Sequence, residues 1–166
     1  MAVDLLVKLY DLPPTDELIA DLKREGIVIR RPRGYERKYV VRWVARHFPG
    51  GWVGECDVSF SHQPATTFLA TKDGHIVGFA CYEATNRNFF GPLGVLDDYR
   101  GTGIAAALTL RCLHAMAEMG YAYAIMGSAG DAAPIYKRWV GATEIAGSSP
   151  GIYVDKLHAF DDDPAS

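Results

Sequence analysis

The run Leu93-Gly94-Val95-Leu96-Asp97-Asp98-Tyr99-Arg100-Gly101-Thr102-Gly103-Ile104-Ala105 holds residue types in an order suited to binding an anion. A short apolar strand passes through an acidic turn into a glycine-bearing loop, which opens straight into a helix predicted over Ile104–Met119. A helix start presents unpaired backbone N–H groups and the positive end of the helix dipole. Gly101 and Gly103 let the main chain approach a ligand closely, so the segment is suited to a pyrophosphate. A P-loop is excluded, because Lys followed by Ser or Thr should end such a loop and Ile104-Ala105 stands there. Gly101-x-Gly103-x-x-Ala106 has the glycine spacing of a dinucleotide fingerprint. That fingerprint belongs directly after a domain's first strand, with an acid about twenty positions on. Here the loop lies past mid-chain, and the strand predicted next, Tyr121–Met126, holds no acid.

The elements that must position this loop are legible from periodicity. Val3–Tyr10 reads as a strand, and Asp16–Glu25 as a helix with a stripe at Leu18, Ile19 and Leu22 and a stop at Gly26. Ile27–Arg30 is a short strand, and Tyr35–Phe48 is helical with Tyr39, Val40, Trp43, Val44 and His47 on one face. The aromatic and polar stretch Trp52–Pro64 shows no clear period. Thr67–Thr71 and His75–Glu83 form a predicted hairpin about Lys72-Asp73-Gly74. Asn88–Val95 leads into the loop, Ala132–Val140 is a helix, and Thr143–Ala146 with Gly151–Leu157 reads as a closing pair of strands. The order implies one α/β (α+β) domain with a mixed central sheet flanked by helices. Residues 1–26 are expected as a strand-helix addition packed on a core at 27–160, and 161–166 as a disordered acidic tail.

Composition narrows the function classes. A chain of 166 residues suffices for one domain with a substantial core. A net charge of −3 and the absence of a long basic block argue against a nucleic-acid partner. The short cluster Arg30-Arg31-Pro32-Arg33 is expected as a solvated strand end. Cys56, Cys81 and Cys112 are widely spaced among apolar residues, as small buried hydrophobes rather than a disulfide framework or metal site. No leader-like N-terminus or bilayer-length apolar run is present in this sequence, so a cytoplasmic setting and no membrane partner are expected.

Arg100-x-x-Gly103-x-Ala105, behind a strand ending Leu93-x-Val95, resembles the acyl-CoA-binding motif of the GNAT superfamily of N-acyltransferases. Tyr136-Lys137-Arg138-Trp139-Val140-Gly141-Ala142 is similar to that family's tyrosine segment on the following helix. Together the matches span about Thr67 to Tyr153. The resemblance implies a single GNAT-like domain, acetyl-CoA as co-substrate without a metal, and transfer of an acetyl group to a primary amine by direct attack in a ternary complex. A small-molecule acceptor is preferred over a protein because the chain lacks extra interaction segments. The alternatives are a non-catalytic acyl-CoA-binding or sensory domain and a protein or peptide N-acetyltransferase. Assembly as a homodimer is left open.

The resemblance also implies roles. Leu93 N–H would meet the thioester carbonyl and Val95 the pantetheine, with Gly94 keeping the strand irregular. Arg100, Gly101, Thr102, Gly103, Ile104 and Ala105 would hold the pyrophosphate, mainly through main-chain N–H groups. Tyr136 would donate to the departing thiolate. Free amines titrate near 10.4, so a base is needed at neutral pH. Glu83, at the end of its strand, is the first candidate, and Glu55 and Asp57 follow. Trp52, Glu55, Phe60, Phe89 and Phe90 would line the acceptor pocket, where core packing is the competing reading for the aromatics. This sequence departs from the family pattern in having no carboxylate among Asn86, Arg87 and Asn88, Pro134 just before Tyr136, and Ala142 where Phe is usual.

Overall fold

The computed structural model describes residues 2–48 and 50–159. The hairpin β3 (Thr67–Lys72) and β4 (His75–Tyr82) turns on Asp73 and Gly74, both at positive φ, 50° and 77°, where glycine carries no Cβ penalty. β2 (Ile27–Arg30) extends it on one side and β5 (Phe89–Val95) on the other, all antiparallel. β6 (Tyr123–Met126) joins β5 in parallel through only two pairs, Phe89 with Ile125 and Phe90 with Met126. β1 (Leu5–Lys8) and the two-residue β7 (Thr143–Glu144) complete a seven-stranded mixed sheet of order β2-β3-β4-β5-β6-β1-β7.

Two apolar layers cover this sheet. On one face, α4 (Ile104–Glu118) runs across β3, β4 and β5 and buries Ile104, Leu108, Cys112, Leu113 and Met116. Each such fully buried side chain contributes about 1.5–3 kcal/mol relative to exposure. A Cβ on Gly78 would stand 3.2 Å from both Ile104 and Leu108, so glycine there sets how closely α4 approaches the sheet. α1 (Asp16–Arg24) adds Leu22 and α5 (Ala133–Val140) adds Tyr136 and Val140 to the same core. On the other face, Val40 and Val44 of α2 (Arg37–His47) and Cys56 of α3 (Trp52–Ser59) pack on Leu69, Phe79 and Cys81.

Two sequence expectations are corrected. The stretch from Trp52, read as irregular, forms α3 over Trp52–Ser59. Packed against both α2 and the sheet, this short helix buries Cys56 and Ser59 and half-buries Trp52 and Val53, so no single polar face remains to give a helical period. Gly151–Leu157 forms no strand. The place expected for it, beside Thr143–Glu144, is taken by β1, which pairs with β7 on one side and β6 on the other. β1, from the N-terminal segment, is thus an interior strand of the sheet, between β6 and β7. The acidic tail 161–166 lies outside the described residues.

All three cysteines are free and buried, and burial pushes the Cys81 and Cys112 thiols up. The basic cluster is structural. Arg30 donates to both carboxylate oxygens of Glu36 at 2.8 Å, and Arg33 N–H donates to the same group at 2.8 Å. Arg31 lies over the Phe68 ring at 4.4 Å. The Arg30 hydrogen bonds, with help from the Arg33 N–H, hold the Glu36 carboxyl down at about 2. A lowered carboxylate contributes stability above its unfolded value near 4.3, and loses it as pH falls toward about 2. Glu36→Gln is therefore expected to cost about 1–2 kcal/mol at pH 7, with the gap to the native chain narrowing by pH 3. Urea unfolding at both pH values measures this, and a gap that stays constant contradicts it.

Candidate active site

The strand β5 stops being a paired strand on one side where it matters. Leu96 N–H donates to Val77 C=O at 2.9 Å, so Gly94, two residues earlier, also turns its polar groups toward β4. Backbone direction alternates along a strand, so the N–H groups of Leu93 and Val95 point the other way, toward β6. β6 no longer answers there, because its pairing with β5 ends at Met126. Gly91 at φ 120° and Pro92, which has no N–H, stand at the point of divergence. The result is an open seam between β5 and β6, edged by two unpaired donors.

The seam leads to the glycine loop. Gly101 at φ 77° and Gly103 at φ 90° bring the main chain round to the start of α4. The first helical bond runs from Ala107 N–H to Gly103 C=O at 3.0 Å, which leaves the preceding N–H groups aimed out of the helix end. Thr102 Oγ1 donates to Tyr99 C=O at 2.6 Å, so its hydroxyl braces the loop. Arg100 extends into solvent and pairs with Asp97 at 3.0 Å. Asp97 and Asp98 are exposed turn residues, as expected from their position.

Seam and loop open into one cleft of about 530 Å³. Leu93, Gly94 and Val95 form its floor, and Arg100, Gly101, Gly103, Ile104 and Ala105 its phosphate end. Ile135, Tyr136 and Trp139 of α5 form one wall, and Phe48 and Trp52 reach it from the opposite side of the sheet. The cleft thus passes between the strands. A Cβ on Gly94 would stand 2.5 Å from the Phe48 ring, so only glycine admits that ring. Tyr136 is 8 % exposed and meets Phe90 edge to face at 6.0 Å. Burial, with a smaller effect from Cys112, pushes its phenol up to about 12.

The candidate carboxylates separate by position. Glu83 is turned into the β4–β5 connection, where it accepts from Asn88 N–H and from the Tyr121 hydroxyl at 3.1 Å. Asp57 is paired with Arg37 at 2.8 Å. Glu55 accepts from the Thr85 hydroxyl and lies near enough to Tyr153 to raise its phenol. Trp52 lines the cleft, whereas Phe60 packs against the second core and Phe90 is buried in the first. Phe89 faces Gly127, the residue that follows β6.

Sequence reasoning missed one residue that shapes the cleft, Phe48. Phe48 reads only as the last residue of a helix. Among the described residues, no cluster of His, Cys, Asp or Glu could hold a metal ion, and no helix is long and apolar enough to cross a membrane.

Comparison with known proteins agrees with this geometry. The model of the Acetyltransferase (GNAT) family matches residues 33–141. No curated protein matches the sequence. A GCN5-related glucosamine N-acetyltransferase region of a fungal multi-domain GH3 β-N-acetylglucosaminidase superposes with TM-score 0.69 and 15% identity, covering 87% of this chain and 20% of the other. A GCN5-related N-acetyltransferase from Sphaerobacter thermophilus gives TM-score 0.66 and 23% identity over 87% of this chain and 50% of the other. One from Kribbella flavida gives 0.58 and 21% over 86% and 54%. The chain spans about half the length of these last two, and at such identities the likeness is one of fold. The family model itself covers well over half of the sequence, including the glycine loop, the open strand and Tyr136, and the chain belongs to the GNAT family of acetyltransferases.

Proposed function

We propose that this chain transfers an acetyl group from acetyl-CoA to the primary amine of a small molecule, by direct attack in a ternary complex. The observation that carries this reading is the convergence, in one cleft, of the unpaired Leu93 and Val95 N–H groups, the helix-start cradle and Tyr136. The cradle N–H groups would hold the pyrophosphate, with no charged side chain required. Val95 N–H would donate to the pantetheine, which would lie along β5 as an added strand. Leu93 N–H would donate to the thioester oxygen as charge builds on it, a contribution of about 3 kcal/mol for one well-aimed donor.

As the amine nitrogen bonds to the carbonyl carbon, the carbon–sulfur bond breaks and the thiolate leaves. A phenol at about 12 stays protonated at neutral pH, beside a thiolate whose conjugate thiol titrates near 8.5. Complete proton transfer would be uphill by about 5 kcal/mol, so Tyr136 acts as a hydrogen-bond donor to the sulfur. The amine proton goes to solvent through Glu55, the candidate carboxylate that among the described residues is neither ion-paired, as Asp57 is, nor turned into the β4–β5 connection, as Glu83 is. A reducing, cytoplasmic compartment suits the three free thiols.

Thiol release from acetyl-CoA in the presence of a panel of primary amines tests the reading. Amine-dependent CoA release supports it. Tight acetyl-CoA binding with no release for any amine favours the sensory alternative.

A further inference from the structure

Gly94 stands between the two open donors of β5, and the Phe48 ring is pressed against it tip first. The three atoms at the end of that ring, Cζ, Cε1 and Cε2, lie 2.5, 2.7 and 2.8 Å from where a Cβ on Gly94 would be. The backbone beneath the ring is tethered, since Phe48 N–H donates to Val44 C=O at 2.9 Å and so closes the end of α2. Three other rings hold it in place, with centroids 5.6 Å away for Trp43, 5.3 Å for Trp52 and 5.5 Å for the fully buried Phe79. Swinging it aside would break all three contacts in a close-packed layer. Phe48 and Trp52 therefore form a fixed apolar wall on the side of the cleft opposite Tyr136.

The geometry of a thioester decides which part of the donor meets this wall. Its carbonyl carbon is planar and carries an oxygen, a sulfur and the acyl chain. In the proposed arrangement the oxygen points to Leu93 N–H and the sulfur lies by Tyr136, on the α5 side. The acyl chain, the third substituent, is then directed away from Tyr136, toward Phe48 and Trp52. Leu93 and Gly94 are consecutive, so a chain that starts beside Leu93 N–H runs against the ring seated on Gly94. Among the described residues that line the cleft, Arg100 alone carries a charge, and it stands at the phosphate end. A charged acyl tail would find no partner at the wall, and burying it there is costly.

Resting on the acyl-transfer reading, we infer that Phe48 limits the donor to a short, uncharged acyl group, acetyl before any longer chain. An added methylene must displace a ring that its neighbours hold, and overpacking of this kind is unfavourable. A tight apolar pocket discriminates by about 10-fold or more for each such methylene.

Calorimetry on the full chain with CoA, acetyl-CoA, butyryl-CoA and succinyl-CoA tests this without an acceptor. Each acyl affinity is taken relative to that of CoA in the same variant, which cancels any loss common to all four. The native chain is expected to bind acetyl-CoA at least about 30-fold more tightly than butyryl-CoA or succinyl-CoA. Phe48→Ala should bring the acetyl-to-butyryl ratio below about threefold, while succinyl-CoA, as long but charged, stays excluded. Phe48→Leu, which keeps apolar packing against Trp43 and Phe79, should fall between the two. Butyryl-CoA bound by the native chain as tightly as acetyl-CoA overturns the inference, and so does an acetyl preference that neither variant narrows. A gain for succinyl-CoA equal to that for butyryl-CoA would also overturn it, since that is a general loosening of the site. Failure of CoA and acetyl-CoA to bind the native chain would instead overturn the acyl-transfer reading beneath it.

Discussion

Gly103→Glu is expected to abolish measurable binding of acetyl-CoA and CoA, a loss of at least about 100-fold, with the fold retained. Gly103 adopts φ 90°, a conformation that costs an ordinary residue about 1–2 kcal/mol. Its added Cβ would come 3.1 Å from Leu18 Cδ1, the mobile end of a side chain that can yield a few tenths of an ångström. Both costs fall within the stability of an ordinary domain, about 5–15 kcal/mol. The carboxylate, in contrast, stands beside the free N–H groups at the start of α4 and neutralises them from within. Gly103→Ala, carrying the backbone strain without the charge, should lose far less affinity. Circular dichroism and calorimetry on both variants separate the two effects. Wild-type cofactor affinity in the Glu variant would remove the loop from the site.

Tyr136→Phe is expected to lower kcat by roughly 10–100-fold without changing acetyl-CoA affinity, as a hydrogen bond to a charged sulfur is worth about 1.5–3 kcal/mol. The phenyl ring keeps the edge-to-face contacts with Phe90 at 6.0 Å and Trp139 at 6.3 Å, so packing is preserved. With its pKa pushed up to about 12, Tyr136 should impose no alkaline loss of activity below about pH 11. Wild-type turnover in the Phe variant would return Tyr136 to a packing role.

The cofactor side of this protein is local in sequence, and for that reason it is legible. A helix start, two glycines and the strand before them lie within Leu93–Ala105, and their geometry follows from backbone chemistry alone. The hairpin of β3 and β4 and the helix α4 are likewise marked by period and turn residues. What was not legible depends on pairing between distant segments. Leu5–Lys8 and Gly151–Leu157 both have strand character, and nothing local decides which one enters the sheet beside β7. α3 is packed on two sides and so shows no stripe. Glu83 is a reasonable base by strand position, but its left-handed backbone, φ 58°, turns it into the β4–β5 connection, where Asn88 and Tyr121 occupy it.

Calorimetric titration of the purified chain with acetyl-CoA, CoA and NAD, side by side, tests the central claim most directly. Binding of both CoA species and none of NAD is the predicted result, because the cradle and the open edge of β5 fit a pantetheine diphosphate. Binding of NAD alone, or of none of the three, would contradict the assignment of this cleft and of every residue placed in it.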